Sequence, residues 1–135
     1  MKERHICRVR DVMKHQFDTV DGMTTVLEAL RKMQHVETKT LIVNKRHEDD
    51  EYGLVVMSDI AREVLAKDRS PDRVNVYEVM SKPAIHVAPE MDIRYCARLF
   101  GRFHLSRAPV VESGQVIGIV SLTDLVMRGL LGGLE

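Results

Sequence analysis

No sign of charge prevails in this sequence, in which 20 Lys and Arg face 20 Asp and Glu. That balance excludes broad binding to a nucleic-acid backbone, which needs a basic excess or a basic stripe. No apolar run approaches the roughly 18 residues of a membrane span, and the opening Met1-Lys2-Glu3-Arg4-His5 lacks the apolar core of a signal peptide. The expectation is a cytoplasmic protein whose polar residues 1–8 are loose. The two cysteines, Cys7 and Cys96, form no CxxC and no metal-type spacing, so neither a disulfide framework nor a catalytic thiol is expected. The six histidines include no i,i+4 pair of the metal-binding kind, so no metal site is expected. A P-loop, a nucleophile with its base and orienter, and a spaced carboxylate pair in a matching context are all missing. Catalysis is therefore not expected.

What the chain does have is repetition. Hydrophobic residues make up 44% and charged residues 30%, the balance of a soluble globular chain. Asp11-Val12-Met13 matches Glu78-Val79-Met80 at a shift of 67 residues (78 minus 11). The same shift carries Val20 onto Val87, Val26 onto Ile93, Met33 onto Phe100 and Val43 onto Val110. The first copy then has two extra residues, so Gly53-Leu54-Val55-Val56-Met57-Ser58-Asp59 matches Gly118-Ile119-Val120-Ser121-Leu122-Thr123-Asp124 at a shift of 65. A self-match of fixed period over nearly the whole chain indicates two copies of one supersecondary unit. About 60 residues is near the lower limit for a self-sufficient core, so the halves are expected to pack on each other.

Each copy reads β-α-β-β-α. In the first, a short turn of helix over Val9 to Met13 leads to an extended stretch, Phe17 to Val20. Apolar residues at i, i+3, i+4 spacing predict a helix from Met23 to His35. Strands at Thr40 to Asn44 and Tyr52 to Met57 flank a charged hairpin loop, and Ser58 is expected to cap a helix to Lys67. The second copy repeats the order, with a helix from Pro89 to Phe103, strands at Arg107–Glu112 and Gln115–Val120 around Ser113-Gly114, and a last helix from Thr123 to Leu131, ended by Gly132-Gly133. Copies are expected over residues 8–67 and 75–131, with 68–74 as the linker.

The two D/E-V-M lead-ins, Ala108-Pro109-Val110-Val111, and the paired G-[LI]-V-x-x-[ST]-D signatures resemble a tandem pair of CBS domains, the Bateman module. The resemblance covers residues 8–131, and the second copy is similar to the last repeat of the gamma subunit of AMP-activated kinase. It implies an α/β (α+β) fold of two β-α-β-β-α repeats with pseudo-two-fold symmetry. It also implies a regulatory module that binds AMP, ADP, ATP or S-adenosylmethionine and signals to a regulated protein, assembled as a homodimer.

Carried over residue by residue, the resemblance implies one cleft around Asp124, Thr123, Ser121 and Ile119. The aspartate binds ribose hydroxyls, Arg107 and Lys39 serve phosphate, and Met13 and Asp18 wall the base. A second cleft falls on Asp59, Ser58 and Leu54, with Ala84, Ile85 and His86. That cleft is expected to be weaker, because Val56 stands where Ser121 stands, and losing a hydrogen bond to a charged ligand costs more than about tenfold in affinity. The bland reading of Thr123-Asp124 is a helix cap with an acidic first turn. On that reading the chain is a ligand-free dimerisation scaffold.

Overall fold

The structure, a computed structural model, describes residues 6–134, apart from the side chains of 133 and 134. The expected loose stretch over residues 1–8 therefore falls largely outside the described residues. In chain order the elements are α1 (Val9–Val12), β1 (Asp18–Val20), α2 (Val26–Lys32), β2 (Thr40–Val43), β3 (Gly53–Val56) and α3 (Met57–Ile60). They continue with α4 (Ile93–Phe103), β4 (Arg107–Glu112), β5 (Gln115–Ser121) and α5 (Leu131–Leu134). Helix α3 runs on through a wider turn, Ala61–Leu65, and a second such stretch, Asp124–Leu130, leads into α5. Short 3-10 turns occupy Val36–Thr38 and Val76–Glu78.

The chain divides into two compact units, Phe17–Ala84 and a second that joins the segment ending at Gln16 to the segment beginning at Ile85. These units do not coincide with the sequence copies, because the lead-in of each copy belongs to the other copy's unit. In the unit Phe17–Ala84, β2 pairs in parallel with β1 and antiparallel with β3, so Val43 stands beside both Val20 and Gly53. All four residues of β2 are buried, as its β-branched run demands. Val26, Ala29, Leu41, Val43, Val55 and Val64 make the core with Val74, Val76 and Val79. The stretch read as a linker is thus bound into this unit: Val74 is buried, and its carbonyl accepts from Val26 N at 2.8 Å.

In the other unit, β4 and β5 form an antiparallel ladder with a register shift between Val110 and Val111. Single bridges flank it, parallel at Val87–Val110 and antiparallel at Lys14–Ile119. Helix α4 buries Cys96 and Phe100 and leaves Arg94, Arg98 and Arg102 exposed, so one stripe meets the core formed with Val9, Val12, Met13 and Val120. Cys96 is fully buried, and burial pushes its thiol up to about 11.

Four helix ends, both of α2, the start of α4 and the end of the last helix, differ from the sequence expectation. Helix α4 starts at Ile93, not Pro89, because the carbonyls of Pro89 and Met91 accept from Arg10 and Val9 N–H of the lead-in. Asp92 is the cap, accepting from Arg94 N at 2.9 Å. Helix α2 starts at Val26 under a Thr25 cap and ends at Lys32, since Asp18 draws the following backbone N–H groups of Gln34 and His35 to itself. The last helix passes through Gly132, continuing to Leu134.

Candidate functional site

Strand β5 ends at Ser121, opposite Arg107 in the register of the β4–β5 ladder. Ser121 then caps the helical stretch that follows. Its hydroxyl accepts from Asp124 N at 3.1 Å and donates to Asp124 Oδ2 at 3.0 Å, while Ser121 N donates to the same oxygen at 3.2 Å. This reciprocal pairing is a capping box, which satisfies two backbone donors at a helix start. Asp124 is 3% exposed, and its other oxygen accepts from Lys14 Nζ at 2.7 Å. The Lys14 side chain keeps about a third of its surface in solvent.

Lys14 is held there by its backbone. Its N–H and C=O exchange hydrogen bonds with Ile119, at 2.8 and 2.9 Å, on β5. Arg107 completes the cluster: its Nε is buried and has no hydrogen-bond partner. Burial lowers the guanidinium pKa, and the charge of Asp124 works against that shift. Two cations thus surround one carboxylate, with one buried donor unused. Such a site suits an anion. Thr123 is exposed, in the first turn, and Ile119 and Met13 are buried.

The matching signature in the other unit is built differently. Val56 takes the cap position, not Ser58, because β3 runs straight into Met57 and leaves Ser58 exposed inside the first turn. Asp59 Oδ2 accepts from Val56 N at 2.9 Å, with no hydroxyl to return the bond, and Oδ1 accepts from Arg62 at 2.9 Å. Where Arg107 stands in the second copy the first has Thr40, buried and donating to Thr38 O at 2.9 Å. Lys39 is exposed, in a left-handed conformation with φ 57°. Asp18 directs both carboxylate oxygens at Gln34 N and His35 N, each at 2.9 Å. Leu54 and Ala84 are buried, whereas Ile85 and His86 are exposed.

The expected residues Asp124, Ser121, Thr123, Arg107, Ile119 and Met13 therefore lie in one compact unit, and Lys39 and Asp18 belong to the other. Asp59, Ser58, Leu54 and Ala84 share the unit Phe17–Ala84, while Ile85 and His86 do not belong to it. Sequence reasoning missed Lys14, which is 110 residues from Asp124 and carries no local signal. It also missed Arg128, whose guanidinium donates to Val12 O at 2.9 Å and Met13 O at 3.2 Å and ties the last helix to the lead-in. Arg62 was findable, being three residues after Asp59, where helical side chains meet. Among the described residues no group of three His, Cys, Asp or Glu is placed to hold a metal, and no helix is long and apolar enough to cross a membrane.

Two stretches, residues 9–66 and 76–130, match the family model described as the CBS domain. The chain is 28% identical over 120 residues to an uncharacterized protein of Methanopyrus kandleri, covering 87% of this chain and 60% of that protein. It thus spans less than two thirds of that relative's length. Identity to the CBS domain-containing protein YhcV of Bacillus subtilis is 29% over 120 residues, covering 89% of this chain and 84% of the relative. Among solved structures, the hexameric CBS-CP12 protein from bloom-forming cyanobacteria matches with a TM-score of 0.87 and 36% identity, over 91% of this chain and 68% of that one. The CBS domain pair of protein MJ0100, solved with 5′-methylthioadenosine and S-adenosyl-L-methionine, matches with a TM-score of 0.78 over 97% of this chain and all of that one. At 22% identity that likeness speaks to the fold alone.

Proposed function

The chain belongs to the CBS domain family and carries two CBS domains in tandem; from that premise we propose that it is a regulatory module that binds an adenosyl nucleotide beside Asp124 and passes its ligand state to a partner protein. Residues 8–67 and 75–131 are its repeats, joined by 68–74. The observation that carries the reading is the buried, unpartnered Nε of Arg107 next to Asp124. A buried donor left unsatisfied costs about 1–3 kcal/mol, and a ligand phosphate would recover it. Asp124 accepts from the ribose hydroxyls, Ser121 and Thr123 lie beside them, and Ile119 and Met13 support the floor. The Asp59 site, with Ser58, Leu54 and Ala84, has neither a counterpart of the Ser121 hydroxyl nor one of Arg107, and is the weaker. Adenosyl ligands bound by the MJ0100 domain pair support the ligand class. The module is read as non-catalytic and cytoplasmic.

Leu122, Val126, Met127, Leu130 and Leu131 are each 41–62% exposed along the last helix. An apolar stripe of this kind calls for a cover, and a homodimer with closed two-fold symmetry supplies it.

A second reading, the ligand-free scaffold, is favoured by one observation: both signature aspartates already accept from the backbone N–H of the residue that caps their helix. Thermal melts with AMP, ADP, ATP and S-adenosylmethionine separate the two. A ligand at 100 times its dissociation constant stabilises by about 2.7 kcal/mol, a shift of several degrees. No shift with any of the four at millimolar concentration leaves the scaffold.

A further inference from the structure

The Asp124 carboxylate does not wait empty for a ribose. One oxygen holds two donors from Ser121, the other holds Lys14 Nζ at 2.7 Å, and the side chain is 4% exposed. A carboxylate has about four lone-pair sites, so acceptor capacity remains. The group between that carboxylate and solvent, however, is Lys14, whose side chain keeps about a third of its surface in solvent. A diol that reaches Asp124 must therefore move the ammonium. The Lys14 backbone cannot follow, because two hydrogen bonds pin it to Ile119. The four-carbon side chain can, since it is flexible and partly in solvent.

Moving Lys14 off Asp124 exposes a charge imbalance. The displaced ammonium and the guanidinium of Arg107, with its unpartnered Nε, then face each other with their shared counter-ion engaged by the ligand. A neutral adenosyl compound leaves two cations against the single charge of Asp124, with the Lys14 ammonium out of contact with it, and a sulfonium adds a third positive charge. A phosphate repairs both at once, taking the Lys14 ammonium as a mobile donor and Arg107 as a fixed one. The other copy has no such device: Ser81 stands where Lys14 stands, and the counter-ion of Asp59 is Arg62 on its own helix.

We propose that Lys14 is a specificity-determining residue which neutralises Asp124 in the empty site and transfers to the phosphate of an incoming nucleotide, so that this site takes AMP, ADP or ATP in preference to uncharged or sulfonium adenosyl compounds. The inference rests on the nucleotide reading above and adds the charge of the ligand to it.

The test is calorimetric titration of the whole chain with AMP, 5′-methylthioadenosine and S-adenosylmethionine, in the wild type, Lys14→Gln and Lys14→Arg. The wild type is expected to prefer AMP over methylthioadenosine by about tenfold or more, the worth of a charged hydrogen bond. Lys14→Gln should lose that ratio by weakening AMP while methylthioadenosine binds as before or more tightly; Lys14→Arg should keep it. A wild type that binds the neutral or sulfonium compound as tightly as AMP overturns the proposal, and so does an unchanged ratio in Lys14→Gln. Binding of none of the three overturns the nucleotide reading itself, which separates the two failures. Should Lys14→Gln not fold, the wild-type panel and Lys14→Arg still decide.

Discussion

Met13 closes over Gly118: a β-carbon on Gly118 would lie 2.9 Å from the Met13 sulfur and 2.6 Å from the carbonyl oxygen of Lys14. The relationship recurs at Gly53, where the same atom would meet the Met80 sulfur at 2.7 Å. The D/E-V-M lead-in and the glycine that opens each signature are therefore two halves of one packing arrangement. The methionine fills the space that the absent side chain leaves, and the strand can then carry its serine and aspartate to the helix start.

Gly118→Ala should consequently destabilise by about 1–3 kcal/mol, the usual cost of overpacking against backbone. Gly101 is the control. It sits in α4, exposed, and nothing lies within 4 Å of its would-be β-carbon. Gly101→Ala should stabilise by about 0.5–1 kcal/mol through helix propensity. Urea unfolding of the two variants should move the midpoints in opposite directions.

The two signatures differ in their caps, and stability should register it. Ser121→Ala removes a hydroxyl that both donates and accepts at the helix start, and should cost about 1 kcal/mol, within a range of about 0.5–2. Ser58→Ala touches an exposed position inside the first turn and should stay within about 0.5 kcal/mol. Equal losses in thermal melts would contradict the assignment of Ser121 as the cap.

Arg107 carries a buried donor with no partner, so in the absence of ligand its removal should not harm the fold. Arg107→Met is expected to leave the melting temperature unchanged or raise it, and to weaken AMP binding by about tenfold or more. A marked loss of apo stability would show the guanidinium to be structural.

Asp92 supplies a pH dependence. The Arg94 guanidinium, and then its backbone N–H, hold the Asp92 carboxyl down at about 2, from an ordinary value of 3.8. The folded-state pKa is depressed, so the stabilisation is present above the unfolded value near 3.8 and is lost as pH falls through about 2. Asp92→Asn should lower the melting temperature at pH 6 and flatten its fall between pH 5 and pH 2. If wild type and variant decline in parallel, the cap contributes nothing measurable.

The exposed stripe on the last helix makes the assembly testable. Leu130 is 62% exposed in the single chain, and Leu130→Glu should cost little in a monomer but should disrupt a dimer built on that stripe. Light scattering at micromolar concentration should show the wild type near twice the 15.4 kDa chain mass and the variant near that mass. A wild type that scatters as a monomer removes the homodimer.

Much of this protein was legible in the sequence because its signals are local and occur twice. The apolar runs read at Thr40–Asn44 and Arg107–Glu112, the Ser113-Gly114 turn and the helical period up to Phe103 each depend only on near neighbours, and the structure has strands at Thr40–Val43 and Arg107–Glu112, the turn between β4 and β5, and a helix ending at Phe103. The duplication turned weak strand-to-helix signatures into a family assignment, and it singled out Asp124 and Arg107 as candidates that the structure holds in one unit. Tertiary structure alone decided the rest. Helix α4 starts at Ile93 rather than at Pro89 because residues 89–91 pair with the lead-in, some 80 positions earlier in the chain. Each lead-in belongs to the unit of the other copy, an exchange that no periodicity records. The counter-ion of Asp124 is Lys14, whose copy-two counterpart is a serine, so the repeat concealed it as surely as it revealed the aspartate. Spacing along the chain determines which face a side chain takes within one helix or strand. Which charge meets it across 110 residues is set only when the backbone of Lys14 bonds to that of Ile119.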